Sequence, residues 1–68
     1  MIEWITVSSS AIKAVGYDEA SHRMFIDFQD SQPAYVFCGV PEGVFREFVG
    51  SGSVGRYYQK HIKDRYQC

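Results

Sequence analysis

Tyr35-Val36-Phe37-Cys38-Gly39-Val40-Pro41 is the stretch on which the fold turns. Its aromatic and β-branched residues suit a pleated, half-buried strand, and the run passes directly into a proline that suits the opening of a helix. Upstream, Pro33 has no amide to give to a ladder and holds off the start of this strand, which is placed at residues 35–40. Gln29-Asp30-Ser31-Gln32 is a turn. Residues 23–28 give the clearest strand, because Met24, Ile26 and Phe28 share one face while Arg23, Phe25 and Asp27 share the other. The polar run Asp18-Glu19-Ala20-Ser21-His22 separates it from a first strand at residues 12–17, where Gly16 marks a bulge or a close contact beneath a ring. Short turns between successive strands imply an antiparallel meander. The hydroxyls of Ser8-Ser9-Ser10 suit a helical cap or a turn backbone. Residues 1–7 contain Trp4, Ile5 and Val7, enough apolar surface to dock but without a clean period.

Downstream, Pro41 lacks an amide hydrogen and fits the first position of a helix, with Glu42 complementing the dipole in the first turn. Val44, Phe45, Phe48 and Val49 recur at helical spacing, so residues 41–49 form a short amphipathic helix. Gly50-Ser51-Gly52-Ser53 ends it. Ser53 then caps a second helix over residues 54–66. On an α-helical wheel Val54, Tyr58, His61 and Ile62 face the sheet, and Arg56, Lys60 and Lys63 form a cationic stripe opposite. The expected fold is α+β: one domain over residues 1–68, a three-stranded antiparallel β-meander with two C-terminal helices packed on one face.

The chain has 68 residues, 46% hydrophobic and 16% aromatic. That is small for a domain without staples, but each buried ring removes roughly 150–250 Å² from water. The formal net charge of −1 hides an asymmetry: the first half carries two cations against five carboxylates, the second half five against three. The whole molecule is no polycation, which argues against strong non-specific DNA binding, while a local basic patch remains open. Cys38 lies in an expected strand and Cys68 is the last residue, so a bridge between them is not expected. With no apolar run long enough to span a bilayer and no leader-like N-terminus, a cytoplasmic protein is expected.

Several pieces together resemble the KTSC family of small bacterial and phage domains, which occur alone or at the C-terminus of some lysyl-tRNA synthetases. They are Ser8-Ser9-Ser10 with Ile12, Val15-Gly16-Tyr17-Asp18, and the Met24, Ile26, Phe28 alternation. The order continues with Tyr35-Val36-Phe37, Gly39-Val40-Pro41, Gly55, Tyr58, His61-Ile62 and Tyr66. One departure stands out: the family's central Tyr-x-Tyr is Tyr35-Val36-Phe37 here, so the second hydroxyl is missing. The resemblance implies a binding module, with the synthetase context suggesting RNA or tRNA.

Two regions offer themselves as working surfaces. The first is the basic, tyrosine-rich end, where Arg56, Lys60, Lys63 and Arg65 can hold phosphates while Tyr57, Tyr66 and Tyr35 stack bases. Against this stands an ordinary solvated helix face, and for Tyr35 and Phe37 simple burial beneath the helices. The second is the sheet face away from the helices, where Phe25, Val36 and Cys38 make an unexpectedly apolar surface. The first residues around Trp4 cover that face, or it receives a protein partner or a second copy. His61 reads as a half-buried, hydrogen-bonded histidine. With His22, Cys38 and Cys68 scattered, no zinc site is expected. Gly50-Ser51-Gly52-Ser53-Val54-Gly55 follows a helix rather than a strand and reads as linker, not phosphate loop. No nucleophile–base pair can be assembled, so the expectation is a non-catalytic module without metal or cofactor that binds RNA, or alternatively a protein-interaction or homodimerisation domain.

Overall fold

Four strands, not three, make the sheet, in the order β1 (Glu3–Thr6), β2 (Ile12–Asp18), β3 (Arg23–Phe28) and β4 (Tyr35–Phe37), all antiparallel. The computed structural model describes residues 2–30 and 33–68, so Met1 and the second half of the turn read at 29–32 lie outside the described residues. The meander is as expected, and the added strand comes from the N-terminal segment. Its period was hidden because the residues that face the helices include an acid. Glu3 and Ile5 pair with Tyr17 and Val15 on the helix side, while Trp4 pairs with Gly16 on the other. Glu3 is held by Arg46, whose Nη1 and Nη2 donate to its two carboxylate oxygens at 3.0 and 2.9 Å.

Between β1 and β2 the serine run acts as a turn rather than a helix cap: Ser9 Oγ accepts from the amides of Ala11 and Ile12 at 3.1 and 3.3 Å. The register between β2 and β3 shifts between Ile12 and Ala14, so the bulge lies there and not at Gly16. At the β2–β3 turn Asp18 accepts from the Ala20 amide and the Ser21 hydroxyl, and His22 takes a positive φ of 58°.

Two helical segments cover one face of the sheet. Helix α1 (Glu42–Val49) begins after Pro41, whose ψ of 149° is extended and whose carbonyl accepts from Val44 and Phe45. Proline is therefore the cap, one residue before its expected place. Helix α2 (Val54–Tyr57) is capped by Ser53, which accepts from the Arg56 amide, and continues into a π-helical turn at Tyr58–Ile62. The core joins Val15, Tyr17, Met24, Ile26 and Phe37 of the sheet to Phe45, Phe48, Val54 and Ile62 of the helices. Tyr17 stacks on Phe45 at 4.9 Å and donates its hydroxyl to the Val40 carbonyl, so a phenol sits in the core with its polar atom satisfied.

The second helix stops at Ile62 rather than Tyr66. The Lys63 amide donates back five residues to the Tyr58 carbonyl at 2.9 Å, and the ψ of 128° at Lys63 followed by the positive φ of 65° at Asp64 turns the chain out of the helix. The last residues then return to the edge of β4, where the Cys38 amide donates to the Tyr66 carbonyl at 2.9 Å. Cys38 and Cys68 form a disulfide, their Cα atoms 4.9 Å apart, contrary to the expectation of two free thiols. The reason is this reversal: a helix continued to residue 66 would have carried Cys68 away from the sheet.

Candidate nucleic-acid interface and the open sheet face

The π-turn decides which side chains the second helix presents. Its wider pitch places residues differently from a wheel drawn at α-helical spacing. His61, expected on the core side, is exposed, with its ring 4.6 Å from that of Tyr57. Arg56 and Lys60 both lie exposed on the helical run. Lys63 and Arg65 are exposed as well, but in the turn that follows, so the three-residue stripe expected on one helix face is reduced to Arg56 and Lys60. Among the described residues the ion pairs belong to Arg46, which bonds Glu3 and Glu42; the four cations of the C-terminal third make none.

Arg56, Tyr57, Lys60 and His61 line one wall of a surface groove of about 380 Å³, and Ser51, Gly52 and Ser53 line the other. Tyr57 is not a free stacking ring. It is half-buried beside Phe48 at 5.5 Å, and its hydroxyl donates to Glu47 Oε1 at 2.7 Å. Burial, and then the neighbouring Glu47 carboxylate, push its phenol up to about 12. Tyr66 is also half-buried against the core, and its carbonyl is used by the Cys38 amide.

A second groove, of about 330 Å³, opens between Ala11, Phe28, Asp30, Tyr35 and Tyr58. Tyr35 is 53% exposed, so its expected burial beneath the helices does not occur, while Phe37 on the same face is buried. Tyr35 pairs with Ile26 at the sheet edge and meets the edge of Phe28 at 5.3 Å. Phe28 in turn meets Tyr58 edge-on at 5.3 Å. Burial pushes the Tyr58 phenol up. Three rings and one carboxylate therefore border a space open to a flat ligand. Phe28, Asp30 and Tyr58 were not singled out as site residues in the sequence, because strand alternation groups Phe28 with Met24 and Ile26, the helical wheel turns Tyr58 to the sheet, and Asp30 falls in a turn.

On the far side of the sheet the register aligns Trp4, Gly16, Phe25 and Val36 in one row across all four strands. The Trp4 ring lies on Gly16, where an added Cβ would fall 2.9 Å from Cδ2 and Cε2. The expected close contact beneath a ring is thus found at that glycine. Trp4 also leans on Phe25, centroids 6.3 Å apart. It does not close the face: Trp4 remains 50% and Val36 43% exposed. Cys38, expected on the same surface, is half-buried and committed to its bridge with Cys68. Among the described residues no group of three or more His, Cys, Asp and Glu is placed to hold a metal ion, and no helix is long and apolar enough to cross a membrane.

Comparison with known proteins places this geometry in a family. The KTSC domain model matches residues 8–66. A protein of Tsukamurella paurometabola is 34% identical over 62 residues, covering 91% of each chain. The crystal structure of a KTSC domain protein from Yersinia pestis superimposes with a TM-score of 0.92 at 34% identity, covering 100% of this chain and 94% of that one. The chain belongs to the KTSC domain family.

Proposed function

We propose that this KTSC domain is a non-catalytic binding module whose ligand is RNA in a single-stranded segment, including the unpaired parts of tRNA. The observation that carries the proposal is the pair Arg56 and Lys60, exposed beside one groove and free of ion pairs among the described residues. Such a pair offers phosphates two uncommitted cations, and backbone neutralisation dominates nucleic-acid affinity. Bases go to the opposite side of the same helix, where Tyr35, Phe28 and Tyr58 border the second groove. Exposed rings tolerate any base, because every base has a stacking face. Tyr57 and Tyr66 then support the interface rather than stack on the ligand. The choice of RNA over DNA leans on the occurrence of similar domains in lysyl-tRNA synthetases.

Fluorescence titration of a labelled single-stranded RNA tests this. Each neutralised phosphate on a single strand contributes roughly −0.7 to the slope of log K against log salt. Arg56 and Lys60 together give a slope of about −1.4, and about −2.8 when Lys63 and Arg65 also engage. Arg56→Glu with Lys60→Glu should abolish binding, and Tyr35→Ala should weaken it by about 1–3 kcal/mol with the slope unchanged. Affinity indifferent to the charge reversals sinks the proposal. A second reading, association with protein through the open sheet face, is favoured by the exposure of Trp4 and Val36.

A further inference from the structure

We infer that the open sheet face is a self-complementary docking surface for a second copy of this chain, packed sheet on sheet about a two-fold axis. This rests on the second reading above and is independent of RNA. The row Trp4, Gly16, Phe25 and Val36 crosses the sheet at one level. Arg23 and Asp27 stand on β3 two residues to either side of Phe25, roughly 7 Å along the strand in each direction. They are too far apart to bond each other, and among the described residues neither makes an ion pair. Asp27 is half-buried, and among the described residues no cation of its own chain pairs with it.

A two-fold axis lying across the strands at the level of the row brings each of its residues over its own equivalent. It also sets Arg23 of each copy over Asp27 of the other, twice. Asp18, beside Arg23 on β2, falls over the small Ala14, and its carboxylate is already taken by the Ala20 amide and Ser21 hydroxyl. No like charges of the paired strands face each other. Aligned sheets cross at about 30°, which displaces the ends of such a pair by roughly 4 Å, within reach of an arginine side chain. The alternative axis, along the strands, sets Arg23 against the already committed Asp18 and leaves Asp27 over Ala14.

The area predicts the strength. Four strands by five residues cover roughly 19 × 17 Å, about 650 Å² for the two copies together. That falls below the ~1,200 Å² at which stable interfaces begin, so the dimer is weak and forms at high concentration.

Sedimentation velocity without RNA, from about 10 µM to about 1 mM protein, is the test. The weight-average mass should climb from 7.8 kDa towards twice that value. Val36→Lys and Arg23→Asp should each weaken association at least about tenfold, and Arg23→Asp with Asp27→Arg should restore it to within about threefold. Both single changes are at exposed positions, and should one fail to fold, the other carries the test. A mass of 7.8 kDa throughout overturns the inference and leaves the row on the open sheet face to a different partner. Association insensitive to Val36→Lys overturns it in favour of edge pairing through β1. Failure of the charge swap to rescue overturns the proposed axis.

Discussion

Replacing Cys68 with serine opens a loop that contains the entire helical layer. The bridge joins residues separated by 30 positions, from the end of β4 to the end of the chain. Closing such a loop removes roughly 12 cal/mol/K from the unfolded ensemble, or about 3.6 kcal/mol at 25 °C. The Tyr66 carbonyl still accepts from the Cys38 amide in the variant, but this contact exists only in the folded chain and leaves the unfolded entropy free to rise. A domain of 68 residues has a total stability of about 3–10 kcal/mol at usual values per residue. The bridge therefore accounts for a third or more of it. With a urea slope of about 1 kcal/mol/M for so short a chain, the midpoint should fall by about 3–4 M. Urea unfolding followed by the single tryptophan, with and without reductant, measures it, and wild-type protein in reductant should match Cys68→Ser. A midpoint shift under about 1 M refutes the entropic account. Uptake of two alkyl groups by the native, unreduced protein refutes the bridge itself.

Two further outcomes follow from single contacts. Because burial raises the Tyr57 phenol to about 12 from 10.0, its contribution to stability is complete below pH 10. As pH rises from 10 towards 12 the unfolded chain releases this proton first, so stability falls through that window. Urea midpoints across alkaline pH check the sign, and Tyr57→Phe should flatten part of the decline. Gly16→Ala sets a methyl 2.9 Å from the Trp4 ring, which must lift off β2. The expected cost is about 1–2 kcal/mol, with a change in tryptophan emission, and an unchanged spectrum would show that the ring does not rest there.

The parts of the fold written in alternation were legible in the sequence. Residues 23–28 form β3 with the stated faces, and Phe45 and Phe48 enter the core at helical spacing as read. Ser53 caps the second helix, as its hydroxyl before an apolar run suggested. What escaped depended on partners distant in sequence. β1 is invisible as a period because Glu3 on the helix side is satisfied by Arg46, 43 residues away. Tyr35 and Phe37 share a face, yet one is exposed and the other buried, since the helices cover only part of that face. The π-turn has no local signature here; it shifts His61 to the surface, and the extended ψ of Lys63 that follows it ends the helix at Ile62. The cationic end was legible as composition, but the turn at residues 63–65 separates Lys63 and Arg65 from the helical pair Arg56 and Lys60.

The two proposed surfaces lie on opposite sides of one sheet, and this has a consequence neither has alone. The helices occupy one face and carry Arg56 and Lys60 outward, while Trp4 and Val36 stand on the other. A copy docked sheet to sheet leaves both cationic grooves open, facing away from each other. An RNA reaching around the dimer can then occupy both, and its second contact is made at an effective concentration set by the connecting nucleotides rather than by bulk protein. Affinity for a long single strand should exceed that for a short one by much more than the number of sites, at protein concentrations where the mass shows dimer. Arg23→Asp should erase that excess while leaving the short-strand affinity and its salt slope untouched, because Arg23 lies on the far face. An equal loss for both lengths would mean that Arg23 touches RNA directly, and the separation of the two faces would fail.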